Sequence, residues 1–214
     1  MFDNETEASA ITTERLDSVA IVRFNRPAER NLLSIATLAE LKTILLTIVP
    51  RDDIQSIIFT GTDDVFASGA NIRELTQLNP ESAKDFAKFG QTLFQMIADA
   101  RQVTIAAING YCMGGALDLA LACDLRVASK DAVFAHPGAR LGIITGWGGT
   151  QRLPRLIGRA RAFEFFITAQ RLKSQEALEV GLISRISDPV LDAAVRLARK
   201  TRKGVAISPP PPLP

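Results

Sequence analysis

Residues 104–120, Thr-Ile-Ala-Ala-Ile-Asn-Gly-Tyr-Cys-Met-Gly-Gly-Ala-Leu-Asp-Leu-Ala, restrict the fold more than any other stretch of the chain. The run Thr104–Ile108 has the length and apolar content of a buried strand. Asn109-Gly110 then turns the chain, and Gly114-Gly115 opens an apolar helical segment, Ala116–Cys123. Glycine has no Cβ, so the backbone at 114 and 115 can approach a ligand closely. A helix start adds unpaired N–H groups and the positive end of the helix dipole. Together these make an anion site. The same glycines also suit a turn that serves only tight helix–strand packing, and spacing alone leaves both readings open.

The rest of the chain alternates strands and helices. Ile11–Leu16 and Val19–Phe24 read as a strand pair about Asp17-Ser18. Ser34 is a candidate N-cap for a helix to Val49, with Ile35, Leu38, Leu41, Leu45 and Ile48 on one face. Ile54–Thr60 reads as a buried strand, residues 65–75 as irregular with a short helical end, and Pro80–Ala100 as a helix carrying Phe86, Phe89, Leu93 and Ile97. Short strands are expected at Leu125–Ala128 and Ala132–Ala135, then a glycine-rich loop at Gly138–Gly149. Helical patterns recur at Gln151–Leu156, Ala160–Thr168, Ser174–Val180 and Pro189–Lys203. The alternation implies an α/β fold. With no internal linker, residues 11–203 are expected to form one domain, after a loose segment 1–10 and before a proline-rich tail 204–214.

The 214 residues, 47% of them hydrophobic, are enough for one sizeable core. A net charge of +2 gives no electrostatic drive toward nucleic acid or membrane, and there is no basic-aromatic stripe for RNA. No apolar run is long enough to span a bilayer, and the acidic N-terminus has no signal-peptide core. Two cysteines, Cys112 and Cys123, sit in apolar stretches and are expected to be reduced and buried, in a cytoplasmic protein. No metal-ligand set is expected.

A second segment, Phe66-Ala67-Ser68-Gly69-Ala70-Asn71-Ile72-Arg73, also follows a strand and a loop. Its small residues leave backbone N–H groups accessible, although alone it reads as a capped surface loop. Taken with Asn25-Arg26-Pro27, Ala107-Ile108-Asn109-Gly110, Ala122–Ala128 and Gly146–Leu153, it closely resembles the enoyl-CoA hydratase/isomerase (crotonase) superfamily. The order and spacing fit from about residue 11 to about 187. The resemblance implies a crotonase-like spiral of ββα units with peripheral helices, assembled as a homotrimer or hexamer. It implies a role on acyl-CoA in fatty acid metabolism such as β-oxidation, with no cofactor beyond the coenzyme A of the substrate. It assigns an oxyanion hole to the N–H groups of Ala70 and Gly115. It places Ala28, Arg30, Ser68, Ala70, Asn71, Ile72, Arg73, Gly114 and Gly115 against the acyl-CoA, with Arg73 near the nucleotide end.

The resemblance breaks at the proton-transfer groups. Typical hydratases set a water between two glutamates. The first position falls on Asp118, one methylene shorter, and the second on Gly138, which has no side chain. No acidic residue lies between Asp131 and Glu164 to substitute for it. Three readings follow: single-base chemistry by Asp118, including isomerisation, decarboxylation or condensation; a gap at Gly138 that admits a substrate carboxylate or an anion such as bicarbonate; or acyl-CoA binding without catalysis. His136, the only histidine, is apt as a proton carrier, but a packed histidine before Pro137 is the expectation. Trp147 is a pocket wall or a core anchor, Arg140 a surface base, and Asp124 with Arg126 a structural ion pair. Family chains continue several tens of residues beyond the segment resembling Val180–Ile183; here one amphipathic helix and the tail follow, so the acyl pocket is expected to be more open or closed by a neighbouring subunit.

Overall fold

A computed structural model describes residues 9–200. Expectations for residues 1–8, for the last residues of the C-terminal helix and for the proline tail lie outside the described residues. Ser9 and Ala10, expected to be loose, are tied down: the Ser9 hydroxyl donates to Glu40, and Ala10 is buried.

The chain opens with the hairpin β1 (Ile11–Leu16) and β2 (Val19–Phe24), at the expected bounds. A 3-10 turn at Pro27–Glu29 leads to β3 (Leu32–Leu33) and α1 (Ile35–Ile48), whose first turn is capped by the Ser34 hydroxyl accepting from Thr37 N–H at 3.1 Å. Three strand pairs follow. They are β4 (Ser56–Thr60) with β5 (Val65–Ala67), β7 (Val103–Ile108) with β8 (Tyr111–Met113), and β9 (Leu125–Ala128) with β10 (Val133–Ala135). Between them lie β6 (Gly69–Ala70), α2 (Ile72–Leu75), α3 (Pro80–Ala98) and α4 (Gly115–Ala122). A 3-10 turn at Pro137–Leu141, α5 (Gly149–Ile157), α6 (Arg159–Thr168), β11 (Arg171–Lys173), α7 (Ser174–Glu179), β12 (Arg185–Ile186) and α8 (Val190–Ala198) complete it.

The first member of each pair enters a six-stranded sheet, order β1-β2-β4-β7-β9-β12, parallel except for the hairpin. The second enters a four-stranded sheet, order β11-β10-β8-β5. The chain therefore climbs as a spiral of strand pairs, the crotonase-type α/β architecture. Both faces of the large sheet are covered, which explains why its strands read as continuous apolar runs. Val19, Ile21, Ile58, Ile105 and Ala107 pack under α8 through Ala193 and Ala194. Ala20, Val22, Ile57, Phe59, Ala106 and Ile108 face the main core with α1, α3 and α4.

The turns joining each pair stack on one another. Asn109 accepts from Gly61 N–H at 3.0 Å and donates to the carbonyls of Thr62, Asp63 and Val65. Tyr111 N–H donates to Asp64 O, and the Ser129 hydroxyl donates to Asn109 O. Asn109-Gly110 is thus the clamp that holds the turn before β5 and, through it, the segment leading to Ala70. Asp124 and Arg126 do not form the expected ion pair. Asp124 accepts from the N–H and hydroxyl of Thr104, at 2.8 and 2.9 Å. Arg126 turns the other way and donates to the carbonyls of Leu182, Cys123 and Ala120, closing the C-terminal end of α4.

Candidate active site

The site is built where β6 meets the start of α4. Gly114 caps that helix at φ 54°, ψ −123°, a conformation that only glycine adopts readily. Its N–H donates to Ala135 O at 2.8 Å. Gly115 is the first helical residue, so its N–H has no helical carbonyl to meet. The other strand arrives beside it: a Cβ built on Gly69 would lie 3.0 Å from Gly115 N and 2.6 Å from Met113 O. The structure thus brings Gly69-Ala70 and Gly114-Gly115 together, although 45 positions separate Ala70 from Gly115. A second backbone segment is thus seated against the helix start.

A cleft of about 430 Å³ lies alongside, lined by Arg30, Ser68, Tyr111, Met113, Ala135, Pro137, Arg140, Ala169 and Arg171. Ser68 N–H donates to Arg30 O at 3.1 Å, and the Arg30 guanidinium lies 4.8 Å from the centre of the Tyr111 ring. Ala28 is exposed on the same 3-10 turn. Arg140 is exposed, as expected, and also lines this cleft and donates to Ala169 O. Asn71 is occupied as the cap of α2, accepting from Arg73 N–H at 3.0 Å, while Ile72 and Arg73 are exposed. A larger, more open hollow on α3, lined by Gln91, Gln95 and Asp99 among others, contains none of these residues.

Trp147 is a core anchor. It is 4% exposed, stacks near Phe86 and Phe94, and lies where a Cβ on Gly90 or on Gly115 would fall. The absence of a side chain at 115 therefore lets α4 pack its start directly on the indole.

Asp118 stands on the buried side of the first turn of α4 and is fully enclosed. Its Oδ2 accepts from the Thr145 hydroxyl, and its Oδ1 lies against Gly149. His136 Nε2 is 3.1 Å from that same Oδ1, off the line of a good hydrogen bond, and neither atom has a hydrogen-bond partner among the described residues. The register explains the meeting: Ala135 pairs with Met113, which brings His136 level with the start of α4. His136 is packed, as expected, but its partner was not foreseen; the signal was the strand pair ending beside Gly114.

Gly138 leaves no open gap. A Cβ there would sit 2.6 Å from Ile143 O, because Ile143 N–H folds back to Gly138 O at 3.0 Å. Main chain fills the direction a carboxylate would take. Nearby, burial pushes the Cys112 thiol well above its ordinary range, with the negative charge of Cys123 and Asp118 adding to the effect. Burial lowers Arg152, and Asp118 opposes that shift.

A family model described as enoyl-CoA hydratase/isomerase matches residues 14–208. The chain is 35% identical over 197 residues to a short-chain-enoyl-CoA hydratase of Clostridium acetobutylicum, covering 91% of this chain and 76% of that protein. It is 36% identical over 180 residues to a crotonyl-CoA hydratase of Syntrophomonas wolfei, covering 84% and 69%. The solved structure of an enoyl-CoA hydratase from Bacillus anthracis superposes with a TM-score of 0.85 at 36% identity, over 89% of this chain and 76% of that one.

Proposed function

The chain belongs to the enoyl-CoA hydratase/isomerase family, and on that premise we propose that it is an enzyme that stabilises an acyl-CoA thioester enolate between the backbone N–H groups of Ala70 and Gly115. The observation that carries this reading is the seating of Gly69-Ala70 against the first N–H of α4. Chemistry at Cα or Cβ of a thioester places negative charge on the carbonyl oxygen. Two fixed donors hold that charge more strongly than the neutral carbonyl, so they lower the barrier rather than only binding substrate. One such donor contributes about 3–4 kcal/mol.

The nominal reaction is enoyl-CoA hydration. Asp118 is the carboxylate of the site, without a second one because Gly138 supplies none. The cleft beside Arg30 and Ser68 supports the reading that Ala28, Arg30, Ser68 and residues 70–73 contact the coenzyme A portion. Asp118 is fully enclosed, so on this reading the turn carrying Thr145 moves aside when substrate enters. A homotrimer or hexamer and a cytoplasmic setting belong to the same reading, the latter supported by two unpaired buried thiols.

A second reading, acyl-CoA binding without turnover or a different reaction of the family, is favoured by the main chain that fills the space at Gly138. Loss of enoyl absorbance from crotonyl-CoA and longer enoyl-CoAs, with Asp118→Asn as control, separates them. Turnover abolished in the variant supports hydration. Binding of butyryl-CoA in a calorimeter with no turnover of any enoyl-CoA supports the second reading.

A further inference from the structure

We propose that Asp118 and His136 act as one proton-transfer unit, with His136 as the positioning partner of the site's one carboxylate. The inference rests on the thioester reading above. Three separate segments converge on the pair: α4 brings Asp118, the end of β10 brings His136, and the turn before α5 brings Thr145. Asp118 is 0% exposed and His136 4%. Asp118 Oδ1 and His136 Nε2 lie 3.1 Å apart, out of line for a hydrogen bond, and neither atom has a hydrogen-bond partner among the described residues. Around them the packing is apolar, with the rings of Phe165 and Phe166 against the imidazole at 6.1 and 5.1 Å. Burying a carboxylate and an imidazole costs stability that a pair of apolar side chains would not. A site that needed only filling has no use for them. The charge of Asp118 is also felt by Arg152 on α5 and Cys112 on β8.

In hydration, the water oxygen bonds to Cβ and its proton passes to Asp118. The double-bond electrons move onto the thioester oxygen, between the two N–H donors. Asp118 shares the proton with Nε2 while the enolate persists, then returns it to Cα as the carbonyl re-forms. Water is thus added in full, and both side chains end as they began. His136 acts through Asp118 and touches no substrate atom.

His136 is the only histidine, so its imidazole ¹⁵N signals need no assignment. In full-length protein at one fixed pH, Asp118→Asn is expected to move the Nε2 ¹⁵N resonance, because the oxygen facing that nitrogen becomes an amide. His136→Gln is expected to lower kcat by about a hundredfold with KM within twofold, and to remove one titrating limb from the pH profile of kcat/KM. A wild-type rate and profile in His136→Gln, or an Nε2 ¹⁵N resonance that Asp118→Asn leaves unmoved, overturns the proposal. If the wild type turns over no thioester, it is the proposed function that fails. The Nε2 ¹⁵N resonance then decides alone: a change in Asp118→Asn upholds the shared proton, and no change overturns it. Should Asp118→Asn not fold, a low-field imidazole N–H proton in the wild type upholds the sharing, and free-histidine behaviour overturns it.

Discussion

Gly115→Ala adds one methyl group where the first turn of α4 lies on Trp147. The new Cβ would fall inside 3.0 Å of Cζ3 and Cε3 of the indole, so the ring must retreat by roughly 1 Å before ordinary contact at 3.4 Å is regained. Retreat is blocked, because the opposite edge of the ring already lies on Gly90 of α3, with Phe86 and Phe94 beside it. Overpacking of this kind costs about 1–3 kcal/mol. At about 2–4 °C per kcal/mol for a chain of this size, the melting temperature falls by about 2–12 °C. The same displacement moves the Gly115 N–H away from the thioester oxygen, and loss of one donor lowers kcat by about 10²–10³. Trp147 is the only tryptophan, so its fluorescence follows both the local shift and urea unfolding. Gly115→Ala combined with Trp147→Leu relieves the clash and regains part of the lost stability relative to Trp147→Leu alone. A Gly115→Ala protein that melts within about 1 °C of wild type, with unchanged emission, would refute the packing argument.

Arg126→Ala takes the guanidinium from three buried carbonyls, of which Ala120 keeps the Cys123 N–H; chemical denaturation is expected to show a loss of about 3 kcal/mol, only partly restored by lysine, whose single ammonium cannot span the same acceptors. Asn109→Ala releases four backbone groups of the Gly61–Val65 turn; hydrogen exchange is expected to quicken at residues 61–65, with stability falling by about 1–3 kcal/mol. Burial raises both thiols, Cys112 with help from Cys123 and Asp118, while Arg126 partly opposes the rise at Cys123. A raised thiol pKa means less thiolate at any given pH, so at pH 8 iodoacetamide is expected to modify neither cysteine in the native state and both in urea.

Much of the scaffold is legible in the residues. The hairpin, α1 and α3 follow from alternation and helical spacing, and the bounds differ from expectation by a residue or two. The three-residue strands β5 and β8 were invisible to periodicity. Tyr111–Met113 is a strand only because Val65–Ala67 and Val133–Ala135 flank it. The ion pair expected of Asp124 and Arg126 failed because Asp124 lies in the bend before β9 while Arg126 lies within it, and each met other partners, Asp124 at Thr104 and Arg126 at backbone carbonyls. At the site, the glycines marked where backbone would be exposed, and the family resemblance joined Ala70 to Gly115. The contact of Asp118 with His136 was not legible, since it depends on the register of two distant strands. The space at Gly138 also needed coordinates: nothing in the residues foretells that Ile143 O fills it.

The central claim is that two backbone donors polarise a thioester carbonyl. Crotonyl-CoA carrying ¹³C at that carbonyl, bound to Asp118→Asn to prevent turnover, tests it in one spectrum. The account predicts a downfield displacement of the carbonyl resonance on binding, because hydrogen bonds from Ala70 and Gly115 draw electron density onto the oxygen. A bound carbonyl that resonates as it does in free solution would contradict it.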